Sequence, residues 1–441
     1  MLPSKMRGMS SVFRHTVLVV VLVSTPAVVA KGPSAQAVEA LNREGIELYN
    51  ARKYHQAIEK FEGALRLDPE KDEVLGNLAG SWSAIGVELL NAGEQTSARR
   101  AFETSISVAP DFYSQFGLGY IYFLNQDDEP AKRYLEASLK LKADNAKAYK
   151  FLALIEYRAG RAKSARDLMG KAVSMDEKDG EAKAILDRWR REAKVAAKFR
   201  SLETRRFQIR YDSEIRVSFV ERVATHLDAA FEALAYVLGY TPPKRLFVSL
   251  YSERMFHEVT GTHHWIGGVF DGQIKVSVTL DPKTRKDTDP QVFRALQHEL
   301  AHSFVKEIFP ACPNWLNEGL AQYLELYPVT SLGRSDEAFA AARKERRALI
   351  DKQLREGSKR RLPFARVPAR LSDLTDEQKA RWTYLQGLGF VEDLADRYAV
   401  FRLRMLIETA RVEGSLSRAF ELTYGQSLEV LEESWWKELL D

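Results

Sequence analysis

Hydrophobic spacing changes character three times along the chain. Val17 to Val23 is an unbroken apolar run. From about residue 37 to residue 179 apolar positions recur with a helical period, punctuated by small residues, glycine and proline. From Phe207 the period shortens: Arg206 to Tyr211 alternates in the manner of a strand, Ala224 to Leu238 is helical, and Arg245 to Tyr251 and Gly267 to Val278 are strand-like. A small mixed sheet with helices is expected there. Beyond it, Asp289-Pro290 supplies an N-cap and a first-turn proline, and Val292, Phe293, Leu296, Leu300 and Phe304 carry an apolar helix face up to Pro310.

The helical stretch repeats itself. Ala57, Ala98, Ala131 and Ala165 are spaced by 41, 33 and 34 residues; Gly45, Gly86 and Gly119 each precede one of them by twelve, Phe61 and Phe102 follow by four, and Pro69 and Pro110 close two units. This pattern resembles the tetratricopeptide repeat (TPR), with about four repeats across residues 31–180. The small residues let paired helices approach while the aromatic fills the gap to the next pair. An insertion of about seven residues near Leu75 to Trp82 and Ala153 in place of a glycine depart from the pattern. Residues 181–205, rich in charge, read as a capping and linker helix. Such an array offers a surface for a protein or peptide partner; the alternative is a spacer for the domain that follows.

His298 and His302 lie four apart on the expected helix, so their imidazoles point the same way one turn apart and can reach one ion, with Glu299 beside them. Two histidines that simply face a polar neighbour are the plainer reading. After the break at Pro310 to Pro313, Asn314 to Tyr323 reads as a second helix, on which Glu318 could face the first and supply a carboxylate. Two imidazoles and one carboxylate leave a fourth tetrahedral position for water, the donor set of a catalytic rather than structural zinc site.

His298-Glu-Leu-Ala-His302 followed by Trp315-Leu-Asn-Glu-Gly-Leu-Ala-Gln-Tyr323 resembles the gluzincin metallopeptidases, in particular the peptidase MA-like families, and the second motif also resembles the zinc aminopeptidases. The likeness spans roughly Phe207 to Leu440 and includes the closing Ser427-Leu-Glu-Val-Leu-Glu-Glu-Ser-Trp-Trp-Lys-Glu-Leu439. It implies an α+β zincin fold of thermolysin-like type over residues 206–330, completed by a helical subdomain over 331–441. One Zn2+ ion would be held by His298, His302 and Glu318, with Glu299 as general base. Fifteen residues separate His302 from Glu318, fewer than in the aminopeptidases, so exopeptidase specificity does not carry over. Tyr384 resembles the tyrosine that gluzincins place to hydrogen-bond the oxyanion; a packed core tyrosine is the alternative. Gly267, Gly268 and Asp271 correspond in order to the edge strand with which these enzymes pair substrate backbone, and a glycine-rich turn explains them equally well. His263 and His264 have no spacing that ties them to the metal.

Composition narrows the setting. Lys5, Arg7 and Arg14 before the apolar run, and Val28-Val29-Ala30 after it, form the three-part order of a secretory signal over residues 1–30. The run falls short of the about 20 apolar residues of a membrane span, so a retained anchor is the lesser alternative. An exported protein, periplasmic or otherwise extracytoplasmic, is expected. Of the net charge of +4, three units sit in that leader, so nucleic-acid binding gains no support. Cys312 is the only cysteine, which excludes an intrachain disulfide and a cysteine metal cluster. The basic run within 341–370, including Arg343, Lys344, Arg346, Arg347, Lys359, Arg360 and Arg361, reads as a solvated helix face or as a contact with a membrane surface or flap over the cleft. The rival to a peptidase is an envelope scaffold whose zinc domain is structural or vestigial.

Overall fold

In the computed structural model, which describes residues 33–261, 267–279, 290–327, 336–367 and 377–441, helices pair off from the first described residue. They are α1 (Pro33–Asn50), α2 (Tyr54–Leu67), α3 (Asp72–Ala92), α4 (Gln95–Val108), α5 (Phe112–Leu124), α6 (Asp128–Leu141), α7 (Ala146–Arg158) and α8 (Ala162–Met175). The four repeat alanines, Ala57, Ala98, Ala131 and Ala165, are fully buried. A Cβ at Gly45 would meet the Phe61 ring at 2.5 Å, and one at Gly86 would meet the Phe102 ring at 2.5 Å. The same sixteen-residue pairing brings Leu135 to Gly119, and in the fourth pair Ala153 and Met169 are both fully buried, a small side chain with an unbranched one. The insertion in the second repeat is not a loop: α3 is simply longer, 21 residues against 13 in α5 and in α7. The expected leader lies outside the described residues, and no helix among the described residues is long and apolar enough to cross a membrane.

The chain divides into two compact units, one formed by the chain up to Ile155 with Asp167–Ala182, the other by Glu156–Arg166 with Lys183–Asp441. In the second, α9 (Gly180–Val195) is followed by a short 3-10 turn and then by β1 (Phe199–Glu203). The expected linker helix over 181–205 therefore ends ten residues early. Residues 199–203 pair antiparallel with β2 (Phe207–Asp212), because ladder hydrogen bonds to a neighbouring strand outweigh local helix preference.

The sheet has the order β1-β2-β3-β5-β4, with β3 (Leu246–Ser252) parallel to β2 and to β5 (Ile274–Val278), and β4 (Gly268–Phe270) antiparallel to β5 at the edge. The apolar stretch Gly267 to Val278 is thus a hairpin rather than one strand; it turns at Asp271–Gln273, where Gly272 takes φ 102°. Helix α10 (Val217–Leu238) links β2 to β3, and α11 (Glu253–Thr260) follows β3. Helix α12 (Pro290–Ile308) packs against β4, β5 and α10. Leu296, Leu300, Ala301 and Phe304 of α12 join Ile209, Val248, Val276, Phe219, Leu227 and Phe231 in one apolar core.

The regular elements described after α12 are all helices, chiefly α13 (Asn314–Leu324), α14 (Asp336–Glu356), α15 (Glu377–Tyr398), α16 (Val400–Glu413), α17 (Leu416–Tyr424) and α18 (Leu428–Leu440). The basic run is largely neutralised by this packing. Arg343 and Arg346 of α14 both pair with Glu392 of α15, whose side chain is wholly buried; Arg347 pairs with Asp351 and Asp393, and Arg361 with Glu433. Of the seven cations named above, Lys344, Lys359 and Arg360 are left on the surface. That is a brace between helices rather than a uniform basic face.

Candidate metal centre

Helix α12 begins with proline and buries one face against the sheet, which leaves His298 and His302 on the opposite flank, stacked one turn apart. Their ring centroids are 4.7 Å apart at an interplanar angle of 89°, and the two Nε2 atoms stand 3.1 Å from each other. The chain then reverses through Phe309 to Pro313. Cys312 N donates to Phe309 O at 2.9 Å, Lys306 Nζ donates to Cys312 O at 3.2 Å, and Pro313 leads directly into α13. This short turn lays α13 along α12 and brings Glu318 Oε2 to 3.6 Å from His298 Nε2 and 3.5 Å from His302 Nε2. Donor atoms of all three residues lie within 4.8 Å of one another.

These separations fit one ion. Nitrogen and oxygen ligands at about 2.0–2.2 Å in tetrahedral array stand about 3.3–3.6 Å apart; the two distances to Glu318, 3.6 and 3.5 Å, lie in that range and the 3.1 Å between the imidazole nitrogens is slightly shorter. No other such group of histidine, cysteine and carboxylate donors occurs among the described residues. Charge agrees with geometry. Burial would drive the Glu318 carboxyl up, but His302 and His298 hold it well below the ordinary range. At His298 burial alone would lower the pKa, yet the adjacent carboxylates of Glu318 and Glu325 raise it well above the usual imidazole value. The carboxylates thus favour positive charge on the imidazoles, which a proton supplies when no metal is bound.

Glu299 sits beside the trio and is buried; burial raises its carboxyl against the pull of His298 and His302. Its neighbour is the edge strand: a Cβ at Gly268 would meet Glu299 Oε1 at 2.7 Å, so a larger residue there would push the carboxylate aside. Gly267 continues the same ladder, its carbonyl accepting from Ser277 N at 2.9 Å. Tyr384 lies on α15, which crosses α13 at close range. A Cβ at Gly319 would strike Gly387 O at 2.6 Å and one at Gly387 would strike Trp315 O at 2.5 Å, so α13 and α15 touch backbone to backbone. The Tyr384 phenol, one turn before Gly387, is raised by burial and then by the charges of Glu318 and Glu299, which places it within their electrostatic reach.

Asp271 does not join this group. Its carboxylate pairs with Lys275 Nζ at 2.6 Å and an Arg188 guanidinium nitrogen at 2.9 Å, a structural ion pair at the hairpin turn. His263 and His264 lie outside the described residues. Two further residues act on the centre. His298 Nδ1 donates to Glu325 Oε2 at 2.9 Å, which turns Nε2 toward Glu318. Gln297 Nε2 donates to the carbonyls of Leu324 at 2.7 Å and Tyr327 at 3.0 Å, which ties the end of α13 to α12. The one signal for Glu325 in the sequence is its position seven residues after Glu318, two turns on along the same face.

Comparison with known proteins bears on the repeats. A family model of the tetratricopeptide repeat matches residues 129–182. Similar solved structures include a thermophilic TPR protein of Thermus thermophilus, at 19% identity over 35% of this chain and 98% of that chain, with a TM-score of 0.22. Another is pilF of Pseudomonas aeruginosa, at 13% identity over 38% of this chain and 73% of that chain, with a TM-score of 0.26. No curated protein matches the chain. The amino-terminal region is a helical solenoid containing tetratricopeptide repeats, and such repeats imply protein–protein interaction.

Proposed function

We propose that this protein is an exported zinc metallopeptidase of the gluzincin type, whose repeats hold a substrate or partner protein. The observation that carries the reading is the convergence of His298 Nε2, His302 Nε2 and Glu318 Oε2 at the spacing of tetrahedral ligands, with Glu299 buried beside them. Zinc bound there would supply a Lewis acid and lower the pKa of its water to about 7. The chain's own groups do the rest. The free edge of β4 pairs with the backbone of an extended peptide and sets its scissile carbonyl in front of Glu299. Glu299 takes a proton from water as the water oxygen bonds to the carbonyl carbon. It then delivers that proton to the amine nitrogen as the C–N bond breaks. The Tyr384 phenol donates a hydrogen bond to the oxygen that gains charge.

Cleavage of an unfolded protein by the full chain, with zinc content measured in parallel, tests this. The wild type should cut and bind one zinc, and Glu299→Gln should keep the zinc and lose at least about a thousand-fold in rate. Equal cleavage by wild type and Glu299→Gln would reject the peptidase and favour a scaffold.

A further inference from the structure

A second polar cluster is buried behind the edge strand. Lys275 of β5 is 1% exposed, and its Nζ donates to Glu192 Oε1 of α9 at 2.6 Å and to Asp271 Oδ2 of the hairpin turn at 2.6 Å. Arg188, also of α9, brings a second cation to Asp271 Oδ2 at 2.9 Å. The Lys275 ammonium lies 5.2 Å from the centre of the Tyr157 ring, which stacks on Trp189 at 4.4 Å. Gln273 Nε2 donates to the Tyr157 carbonyl at 2.7 Å. Each polar residue of the hairpin from Asp271 to Lys275 is therefore held by α9 or by the 156–166 segment.

Apolar residues of equal volume would join these elements without burying Lys275 and Asp271 and half-burying Arg188 and Glu192. What such a network of short ion pairs adds, even with Arg188 Nε left without a hydrogen-bond partner, is a single geometry. That geometry matters because of the strand in register with it: Lys275 faces Val269 and Val276 faces Gly268, the residue pressed on Glu299. We propose that the Arg188–Asp271–Lys275–Glu192 network is a positioning device, which seats the β4–β5 hairpin on α9 and the 156–166 segment and so sets the edge strand against Glu299. Its catalytic consequence rests on the peptidase reading; its structural consequence does not.

Lys275→Met and Gln273→Ala, each in the full chain, test the device by amide hydrogen exchange over residues 268–278, zinc content, and kcat and KM on a peptide. Both variants should exchange about ten-fold faster than wild type over 268–278, while residues 296–308 exchange as before and one zinc stays bound. KM should rise about five-fold or more with a smaller change in kcat, since strand pairing is lost and the metal and base remain. Wild-type exchange at 268–278 in folded Lys275→Met overturns the proposal. If Lys275→Met does not fold, Gln273→Ala, which loses one uncharged hydrogen bond, decides it by the same readout. A wild type that cuts no peptide would sink the peptidase reading and leave the exchange result to decide the network.

Discussion

Glu325 Oε2 accepts the Nδ1 proton of His298 at 2.9 Å, and through that bond the ring is held with Nε2 facing Glu318 and His302. An imidazole oriented in this way is both turned and made more basic. Replacing Glu325 by Ala should weaken zinc binding by about 10–100-fold, and Gln in its place should recover part of the loss by keeping an acceptor. Titration against a competing chelator measures both; unchanged affinity in Glu325→Ala would mean that the ring is held by other contacts.

Gly319 and Gly387 meet where α13 and α15 cross. Ala at position 387 would press its methyl on the carbonyl of Trp315, and neither backbone can give way easily. A destabilisation of about 1–3 kcal/mol is expected in denaturant titration. The helices would also separate beside Glu318 and one turn from Tyr384, so on the peptidase reading the loss of rate should exceed what the unfolded fraction explains.

Phe102 fills the space left by Gly86 and Gly117 within the repeats. Phe102→Ala should cost about 3–5 kcal/mol in the repeat unit. Because solenoid stability is a sum of neighbouring interactions, calorimetry should show that loss in the repeat transition, with zinc content unchanged.

Burial pushes the Glu432 carboxyl of α18 up to about 7, over the opposing hydrogen bond from Phe364 N and the charge of Arg361. The folded protein therefore holds a proton between pH 4.5 and about 7 that the unfolded chain releases, so the contribution of this group to stability falls as pH rises through that window and is flat above it. Glu432→Gln, which cannot ionise and still accepts from Phe364 N, should melt above the wild type at pH 8, with the difference shrinking toward pH 5. Parallel melting curves in which the gap does not depend on pH would contradict the assignment.

The parts of this molecule that sequence makes legible are those built from local periodicity. Ala57, Ala98, Ala131 and Ala165 could be placed because a helix pair tolerates only a small residue at its closest approach, and that demand recurs at nearly constant spacing. His298 and His302 are placed by helix geometry alone, whereas Glu318 needs only the short turn at Pro313 to reach them. Pairings across long separations leave no such trace. The Asp271 partner Arg188 is 83 residues away, so order along the chain suggested a substrate contact where the fold builds an ion pair. Residues 199–203 form a strand at the sheet's outer edge, where most side chains face solvent on both sides and no alternation marks them.

Strand β4 is three residues long and, among the described residues, pairs with one strand, β5. A longer open border would be a template on which other copies of the chain could zip up and aggregate. So few residues offer an incoming polypeptide only two or three backbone hydrogen bonds, enough to align it and too few to keep it. Brevity at this border would thus serve rapid turnover and protect against polymerisation by the same means.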